Sequence, residues 1–192
     1  MDFNKVIEAR RSIRSFKSKK ADWKHVLLAI ESALHAPMAG NNNPLKFIIV
    51  ENPETIKKIA KFSEQSWISQ AGIVVVICSD NTVLEKLYGD RGKIYCRQQA
   101  GAAIENFLLK ITDAGLAACW IGAFTDELVE QLLRIPEHMR IEAIIPVGYA
   151  AEKPSYKRKH SLENAIFWEE YLISKRPTIF PESKIGRNPP TG

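Results

Sequence analysis

The 192-residue chain is 45% hydrophobic with a formal net charge of +5, which suits a single domain with a sizeable apolar core. Six basic residues lie within residues 9–20 without an acidic neighbour, so the basicity is local, which indicates a local anionic partner and argues against nonspecific nucleic-acid binding. The three cysteines are widely spaced, no apolar run approaches the roughly 20 residues of a membrane span, and no signal-peptide core is found. We therefore predict a cytoplasmic protein with no metal, disulfide framework or membrane partner.

Apolar spacing and turn residues predict an alternation of helices and strands along the chain. The predicted elements of the first half are a helix over 3–10, a helix from the N-cap Asp22 to near Pro37, a turn over 37–44, a strand over 45–51 and a helix from Pro53 to Phe62. Those of the second half are a buried strand over 73–79, the longest helix over about 95–114 with Gly115 as its C-cap, a strand over 116–124, a helix over 126–133 and a strand over 141–150. Pro146 requires an edge, a bulge or a strand end.

Four or five strands with connections of unequal length favour a layered α+β sandwich over a doubly wound nucleotide fold. Neither G-x-G-x-x-G nor G-x-x-x-x-G-K-[ST] occurs, so no glycine-rich phosphate loop is supported. The small side chains at 100–103 let another helix approach the longest helix closely, either at the centre of a dimer or within the domain core.

Without a glycine-rich loop, basic side chains would have to hold a bound phosphate. Two segments offer them, the first with Arg10, Arg11, Ser12 and Arg14, and the second with Lys157, Arg158 and Lys159. Charge-assisted hydrogen bonds from three such side chains could retain a phosphate monoester firmly. The alternative is that both segments are solvated faces. A nucleic-acid site is disfavoured because only Phe16 and Tyr156 offer aromatic platforms nearby.

Five segments, in order and spacing, resemble the nitroreductase family of FMN-dependent oxidoreductases. They are RRSIRSF, PMAGNNNPLKFIIV, YGDRG, GLAACWIGAF and IPVGYAAEKP, the last followed by a basic cluster. The resemblance covers about residues 3–171. It implies a mostly antiparallel sheet flanked by helices in one domain over 1–174, a homodimer with FMN sites at the subunit interface, and a C-terminal extension over 175–192 that wraps the partner.

The resemblance also implies roles for individual residues. Segment 10–14 would bind the flavin phosphate, ribityl chain and pyrimidine edge, with Arg14 nearest the ring. The loop with Pro37, Met38, Ala39, Asn41 and Asn43 would contact the flavin of the partner subunit. Gly122 and Ala123, in the turn with Trp120 and Ile121, would present backbone amides to the ring. Lys157, Arg158 and Lys159 would close over the phosphate, and Gln65 would offer a polar side chain.

The implied activity is a ping-pong reaction in which NADH or NADPH reduces FMN and a nitroaromatic, quinone or related acceptor then reoxidises it. The flavin performs the hydride transfer, so no catalytic side chain is expected. Met38 replaces a usual serine and Asn43 a usual glutamine, which leaves the acceptor open. Two alternatives remain: specialised flavin chemistry such as reductive dehalogenation, and a non-catalytic flavin-binding or basic-surface protein.

Overall fold

The computed structural model describes residues 1–154, 161–171 and 173. The chain divides into two compact units, Met1–Pro154 and Ser155–Gly192. The predicted extension over 175–192 lies outside the described residues. Within the described part, no helix has both the length and the apolar character needed to cross a membrane.

Four strands in the first unit form one antiparallel sheet in the order β1-β2-β4-β3. The strands are β1 (Leu45–Val50), β2 (Ile73–Asp80), β3 (Ala117–Ala118) and β4 (Met139–Gly148). The central strand β2 is buried from Ile73 to Ser79, as its uninterrupted apolar run predicts for a strand covered on both faces. The predicted antiparallel sheet of four to five strands is confirmed.

Six α-helices and two short 3₁₀ helices, Ala39–Asn41 and Ser66–Gln70, accompany the sheet in the first unit. The α-helices are named in chain order. They are α1 (Phe3–Ala9), α2 (Trp23–Leu34), α3 (Pro53–Phe62), α4 (Thr82–Tyr88), α5 (Asp90–Asp113) and α6 (Asp126–Leu133). Asp22 caps α2 as predicted, because its carboxylate accepts the N–H of Lys24 at 2.9 Å. Gly115 follows α5 with φ of +73°, and the next N–H, that of Leu116, donates to the Ile111 carbonyl at 3.0 Å, a Schellman ending.

The sheet separates two apolar layers, because alternate strand residues point to opposite faces. Ile73, Val75 and Ile77 pack with α2 and α5 in one layer, whereas Val74 and Val76 pack with α3 and α6 in the other. The predicted layered sandwich is therefore confirmed. The three cysteines are buried and free of disulfides, and burial raises the pKa of Cys78 to about 12 and that of Cys96 to about 11.

The segment before α5 is more helical than predicted. Helix α4 was not anticipated, and α5 begins at Asp90, five residues before the predicted start. Gly89, with φ of +58°, separates the two helices. Gly92, the third residue of α5, lies so close to α4 that a Cβ added to it would be 2.3 Å from the Leu84 carbonyl. The tertiary contact between α4 and α5 thus orders a segment whose sequence reads as a loop.

Two strand predictions need correction. The predicted strand over 116–124 pairs as a strand only at Ala117–Ala118, followed by an isolated bridge from Ile121 to Ile144. Pro146 lies inside the central strand β4, not at an edge, and the sheet's register shift is at Ile77/Cys78. The N–H of Ile144 points toward Ile121. Because alternate residues of a strand direct their nitrogens to the same neighbour, the nitrogen of Pro146 faces that side too, at the gap between β3 and the Ile121 bridge. The missing donor therefore breaks no ladder bond.

The second unit is described over 161–171 and at 173. It contains a short 3₁₀ helix, Leu162–Asn164. The rings of Phe167 and Tyr171 pack with centroids 4.6 Å apart, and the Trp168 N–H donates to the Ile173 carbonyl at 2.8 Å.

Candidate functional site

The basic segment 10–14 lies along β3 at the edge of the sheet. Ser12 forms a parallel bridge with Ala118, and the Ile13 N–H donates to the Ala118 carbonyl at 3.1 Å. Ile13 is buried, whereas Ser12 and Arg14 on either side of it are exposed. Alternation along this extended segment therefore anchors Ile13 in the core and leaves its polar neighbours at the surface.

The arginines of this segment have identifiable partners. Arg10 forms a 3.0 Å ion pair with Glu105 of α5, and Arg11 donates from Nη1 to the Arg10 carbonyl at 2.7 Å. The Arg14 backbone N–H donates to the Glu152 carboxylate at 2.7 Å. The Arg10 ion pair lies at the surface, with side chains 24% and 46% exposed, so it is weak and open to exchange with a stronger anion.

The turn 120–123 continues directly from β3. Ile121 exchanges two 3.0 Å hydrogen bonds with Ile144 of β4, which fixes the turn to the sheet. Gly122 and Ala123 are exposed, and neither N–H donates to an acceptor among the described residues. No atom lies within 4 Å of the Cβ position of Gly122. The turn thus carries two backbone donors without an acceptor among the described residues.

The Trp120 side chain lies beside this turn and does not enter the core. It is 41% exposed and approaches α5 at Gly101, whose Cβ position lies 3.9 Å from the ring. The absence of a side chain at Gly101 gives the indole room against the helix.

Segment 10–14 and turn 120–123 meet around Cys119. Burial raises the pKa of the Cys119 thiol, while the charge of Arg14 and a hydrogen bond with Ser12 oppose that rise. The Ser12–Ala118 bridge and the hydrogen bond from Ile13 to Ala118 place segment 10–14 beside the start of the turn. Gln65 also reaches the turn, donating from Nε2 to the Ala123 carbonyl at 3.4 Å, and it borders a cavity of about 340 Å³ together with Lys57 and Lys61.

The predicted loop 37–43 packs with other elements. Gly40 and Asn41 take left-handed backbone conformations, with φ of +57° and +56°, and the Gly40 Cβ position lies 2.8 Å from the Tyr88 hydroxyl oxygen. Asn43 accepts the Leu45 N–H at 2.9 Å through Oδ1. Its oxygen therefore holds the start of β1.

A second cavity, of about 360 Å³, lies between this loop and α5. Its lining consists of Pro37, Met38, Ala39, Tyr95, Gln98, Gln99 and Ala102. Tyr95 packs edge-on against Tyr88, with ring centroids 5.3 Å apart and planes at 74°. Sequence reasoning missed Gln99, although a glutamine directly before the buried alanine face of the longest helix is the kind of signal that could have revealed it.

The described donor set fits an anionic cofactor with a polar ring. Segment 10–14 supplies guanidinium groups for a phosphate, and Gly122 and Ala123 supply backbone N–H groups to the same edge of the sheet. The second predicted basic cluster, Lys157, Arg158 and Lys159, lies outside the described residues.

Residues 7–72 and 57–149 match the family model described as Nitroreductase family, and together these ranges span most of the chain. The chain belongs to the nitroreductase family. A Methanothermobacter thermautotrophicus protein with the provisional name NADH dehydrogenase/NAD(P)H nitroreductase is 31% identical over 159 residues, or 80% of each chain.

Two further comparisons agree with this assignment. An FMN reductase [NAD(P)H] from Bacillus subtilis is 27% identical over 188 residues, covering 88% of this chain and 75% of the relative. The crystal structure of a nitroreductase family protein from Clostridium novyi NT is 29% identical with a TM-score of 0.73, covering 81% of this chain and 90% of the other. The fold is thus that of the nitroreductases, and the chain is an NAD(P)H-dependent flavin oxidoreductase by class.

Proposed function

We propose that the chain binds FMN, accepts hydride from NADH or NADPH, and passes the electrons to nitroaromatic, quinone or related acceptors in a ping-pong reaction. The observation that supports this proposal most is the convergence of segment 10–14 with the unpaired amides of Gly122 and Ala123 at one sheet edge. That edge combines cationic side chains with backbone donors, which is the combination that a phosphate-bearing flavin needs.

In this proposal each residue of this sheet edge would bind a different part of the cofactor. Arg10 would exchange Glu105 for the phosphate, and Arg11 and Ser12 would hold the phosphate and ribityl groups. Arg14 would lie toward the ring and supply positive charge beside it. Gly122 and Ala123 would donate backbone hydrogen bonds to the ring. When bound, FMN supplies the hydride transfer itself, and the protein orients it and limits access of water.

The proposed working unit is a homodimer in which loop 37–43 of each subunit completes the partner's flavin site. Exposed apolar side chains on α1 and α2 support this assembly, because a second copy of the chain would bury them. On α1, Phe3 and Ile7 are 66% and 46% exposed and lie four residues apart, so they share one helix face. On α2, Leu27 and Leu34 are also exposed. Apolar helix faces of this kind mark association surfaces in soluble proteins.

A cytoplasmic location is part of the proposal. Cys78, Cys96 and Cys119 are unpaired thiols, as proteins of reducing compartments usually have. We expect cell fractionation to recover the protein together with cytoplasmic markers.

Purification and rapid kinetics test the proposed function. The expected product is a yellow dimer with one FMN per subunit, which NADH or NADPH bleaches in anaerobic stopped-flow and which a nitro compound or quinone then reoxidises. A colourless protein that cannot be reconstituted with FMN would contradict the flavin assignment. A yellow protein inert toward both nicotinamides would favour the non-catalytic alternative, and a monomer that retains stoichiometric FMN would refute the shared site.

A further inference from the structure

Glu152 holds the basic segment 10–14 from the side that faces away from β3. The Ile13 N–H donates to the Ala118 carbonyl of β3 at 3.1 Å, whereas the N–H of Arg14, the next residue, donates to the Glu152 carboxylate at 2.7 Å. Consecutive N–H groups of an extended segment point in opposite directions. The segment is therefore fixed between a backbone carbonyl of the sheet and a side-chain carboxylate.

The same alternation continues beyond Arg14. The Lys17 N–H donates to the Tyr149 carbonyl at 2.8 Å, and the intervening Phe16 N–H donates to the side-chain oxygen of Gln70 at 3.1 Å. On the outer side of this segment, side chains thus take the place of a neighbouring strand for the N–H groups of Arg14 and Phe16.

The two side-chain acceptors differ in charge. Gln70 offers a neutral amide oxygen to Phe16, whereas Glu152 offers a carboxylate to Arg14. Hydrogen bonds to a charged acceptor are shorter and stronger than those to a neutral one, which agrees with the distances of 2.7 Å at Arg14 and 3.1 Å at Phe16. Glu152 therefore holds the backbone firmly and also brings a negative charge into the basic segment.

The guanidinium of Arg14 stays open to a ligand in this arrangement. Arg14 and Glu152 are both exposed, and within the described parts of the chain the Arg14 guanidinium forms no ion pair. Arg10, in contrast, pairs with Glu105 at 3.0 Å. Glu152 thus binds the backbone of Arg14 and leaves its side chain to another anion.

Glu152 and Arg14 have opposite electrostatic effects on the proposed flavin site. Positive charge beside a flavin ring raises its midpoint potential, because reduction adds electrons to the ring, and negative charge lowers it. The strength of each effect falls with the distance between the charge and the ring. The position of the Arg14 backbone therefore affects both the retention of the flavin and its potential.

We propose that Glu152 is a positioning residue for the flavin: its carboxylate holds the Arg14 backbone so that the guanidinium reaches the ring, and its negative charge limits the midpoint potential. The inference rests on the proposed function and deepens it by naming a residue that tunes the cofactor without being assigned to bind it.

Two substitutions separate the hydrogen bond from the charge. Glu152→Gln keeps a carbonyl oxygen for the Arg14 N–H and removes the charge, whereas Glu152→Ala removes both. Glu137→Gln and Glu137→Ala make the same changes at an exposed glutamate next to the opposite end of β4.

Fluorescence titration of each apoprotein with FMN measures retention. We expect Glu152→Ala to weaken FMN binding by about tenfold, Glu152→Gln to bind FMN at least as tightly as the wild type, and both Glu137 variants to leave the Kd unchanged. A Kd in Glu152→Ala equal to that of the wild type would overturn the proposal.

The midpoint potential of the bound FMN is a readout that a merely structural role leaves unchanged. Anaerobic equilibration with redox dyes measures it without a nicotinamide. Loss of the charge in Glu152→Gln should shift the ratio of the affinities for reduced and oxidised FMN by about fivefold, a rise of about 20 mV for a two-electron couple. The potential of Glu152→Ala should lie below that of Glu152→Gln, because both lack the charge and only the alanine variant releases Arg14. Equal potentials in the two variants, or a wild-type potential in Glu152→Gln, would contradict the proposal.

A double substitution shows whether Glu152 acts through Arg14. In an Arg14→Ala background, Glu152→Ala and Glu152→Gln should give equal Kd values for FMN and equal potentials. A difference that persists in this background would mean that Glu152 acts without Arg14, and the positioning role would be wrong. Thermal unfolding of the apoproteins checks the fold. Should Glu152→Ala unfold, the potential of Glu152→Gln still decides the proposal, because that variant keeps the hydrogen bond.

The outcomes separate this inference from the proposed function. FMN binding and reduction by NAD(P)H that do not respond to substitution of Glu152 would overturn the inference and leave the reductase assignment standing. Bound FMN whose potential responds as expected, but which neither nicotinamide reduces, would leave the positioning role standing and remove the reductase assignment. A wild type that binds no FMN would refute both.

Discussion

Two regions of the molecule differ in charge: the β3 edge, formed by segment 10–14 and turn 120–123, and the cavity between loop 37–43 and α5. At the β3 edge, segment 10–14 presents guanidinium groups at the surface, and the turn at Gly122 leaves backbone N–H groups open. In the cavity between loop 37–43 and α5 the polar side chains are neutral, those of Tyr95, Gln98 and Gln99. The first region suits a tightly held anion, and the second suits an uncharged group.

The difference reflects how each region is supported. The β3 edge is held by sheet hydrogen bonds from Ile13 and Ile121 to the neighbouring strands, so its donors are fixed before a ligand arrives. The cavity depends on helix packing, with Gly92 of α5 against Leu84 of α4 and Tyr88 against the loop. We therefore expect cofactor retention and the packing around the cavity to respond to different substitutions.

Substitution of Gly92→Ala is expected to have the largest effect, on the cavity side. The new Cβ would lie 2.3 Å from the backbone carbonyl of Leu84, and backbone cannot move aside cheaply. We expect a loss of about 3 kcal/mol or more in the free energy of unfolding. Denaturant unfolding measures it.

The matched control for this change is Gly101→Ala on the same helix. The nearest atom to its Cβ position is a Trp120 ring carbon at 3.9 Å, so the alanine fits and should change stability by no more than about 1 kcal/mol, in the stabilising direction. If the two variants are equally stable, the tight contact between α4 and α5 is not as described.

Substitution of Arg10→Ala tests the β3 edge. Loss of one charge-assisted hydrogen bond to phosphate should weaken FMN binding by about 10- to 100-fold, and the difference should shrink as salt is added. Flavin fluorescence titration at low and high ionic strength measures it. Lys17→Ala removes the same charge outside the proposed site and should have little effect. A Kd for FMN equal to that of the wild type in Arg10→Ala would show that the phosphate lies elsewhere.

Asp80 supports the cavity side through the start of α4. Its carboxylate accepts the Thr82 N–H at 2.9 Å, and hydrogen bonds from the Thr82 side chain and backbone, with a smaller contribution from His138, lower its pKa. A lowered pKa in the folded state stabilises the protein above the pKa of the unfolded chain, and this stability disappears as the pH falls through the folded value.

The expected result for Asp80→Asn is a loss of about 1 kcal/mol in the free energy of unfolding at neutral pH. The difference from the wild type should begin to narrow below about pH 4, where Asp80 of the unfolded chain takes up its proton, and should disappear as the pH falls through the lower pKa of the folded state. Urea unfolding across this pH range measures it, with the exposed Glu137→Gln as the control. A difference independent of pH would show that the charge of Asp80 contributes nothing.

Substitution of Glu105→Gln should have the smallest effect and the opposite sign. It releases Arg10 from a partly exposed ion pair, so FMN should bind about two- to fivefold more tightly. The same fluorescence titration measures it. Weaker FMN binding in this variant would mean that Glu105 orients Arg10 for the phosphate and does not compete with it.

Local sequence signals predicted most of the elements correctly. The apolar run of β2, the Asp22 cap and the Gly115 ending depend on nearest-neighbour chemistry, which the sequence states directly. The errors occur where distant contacts decide. Helix α4 forms against α5, and Pro146 is tolerated in a central strand because the adjoining ladder is interrupted beside it.

The candidate site divides in the same way. The sequence by itself determined which residue types are present: the arginines of segment 10–14, the glycine-containing turn at 122 and the family to which their order belongs. Only the tertiary structure decided that segment 10–14 lies beside β3 at the start of this turn, that Arg10 pairs with Glu105, and that Gln99 is buried without a partner among the described residues. Burial and pairing depend on groups distant along the chain, and those distances close only when the sheet and helices pack together.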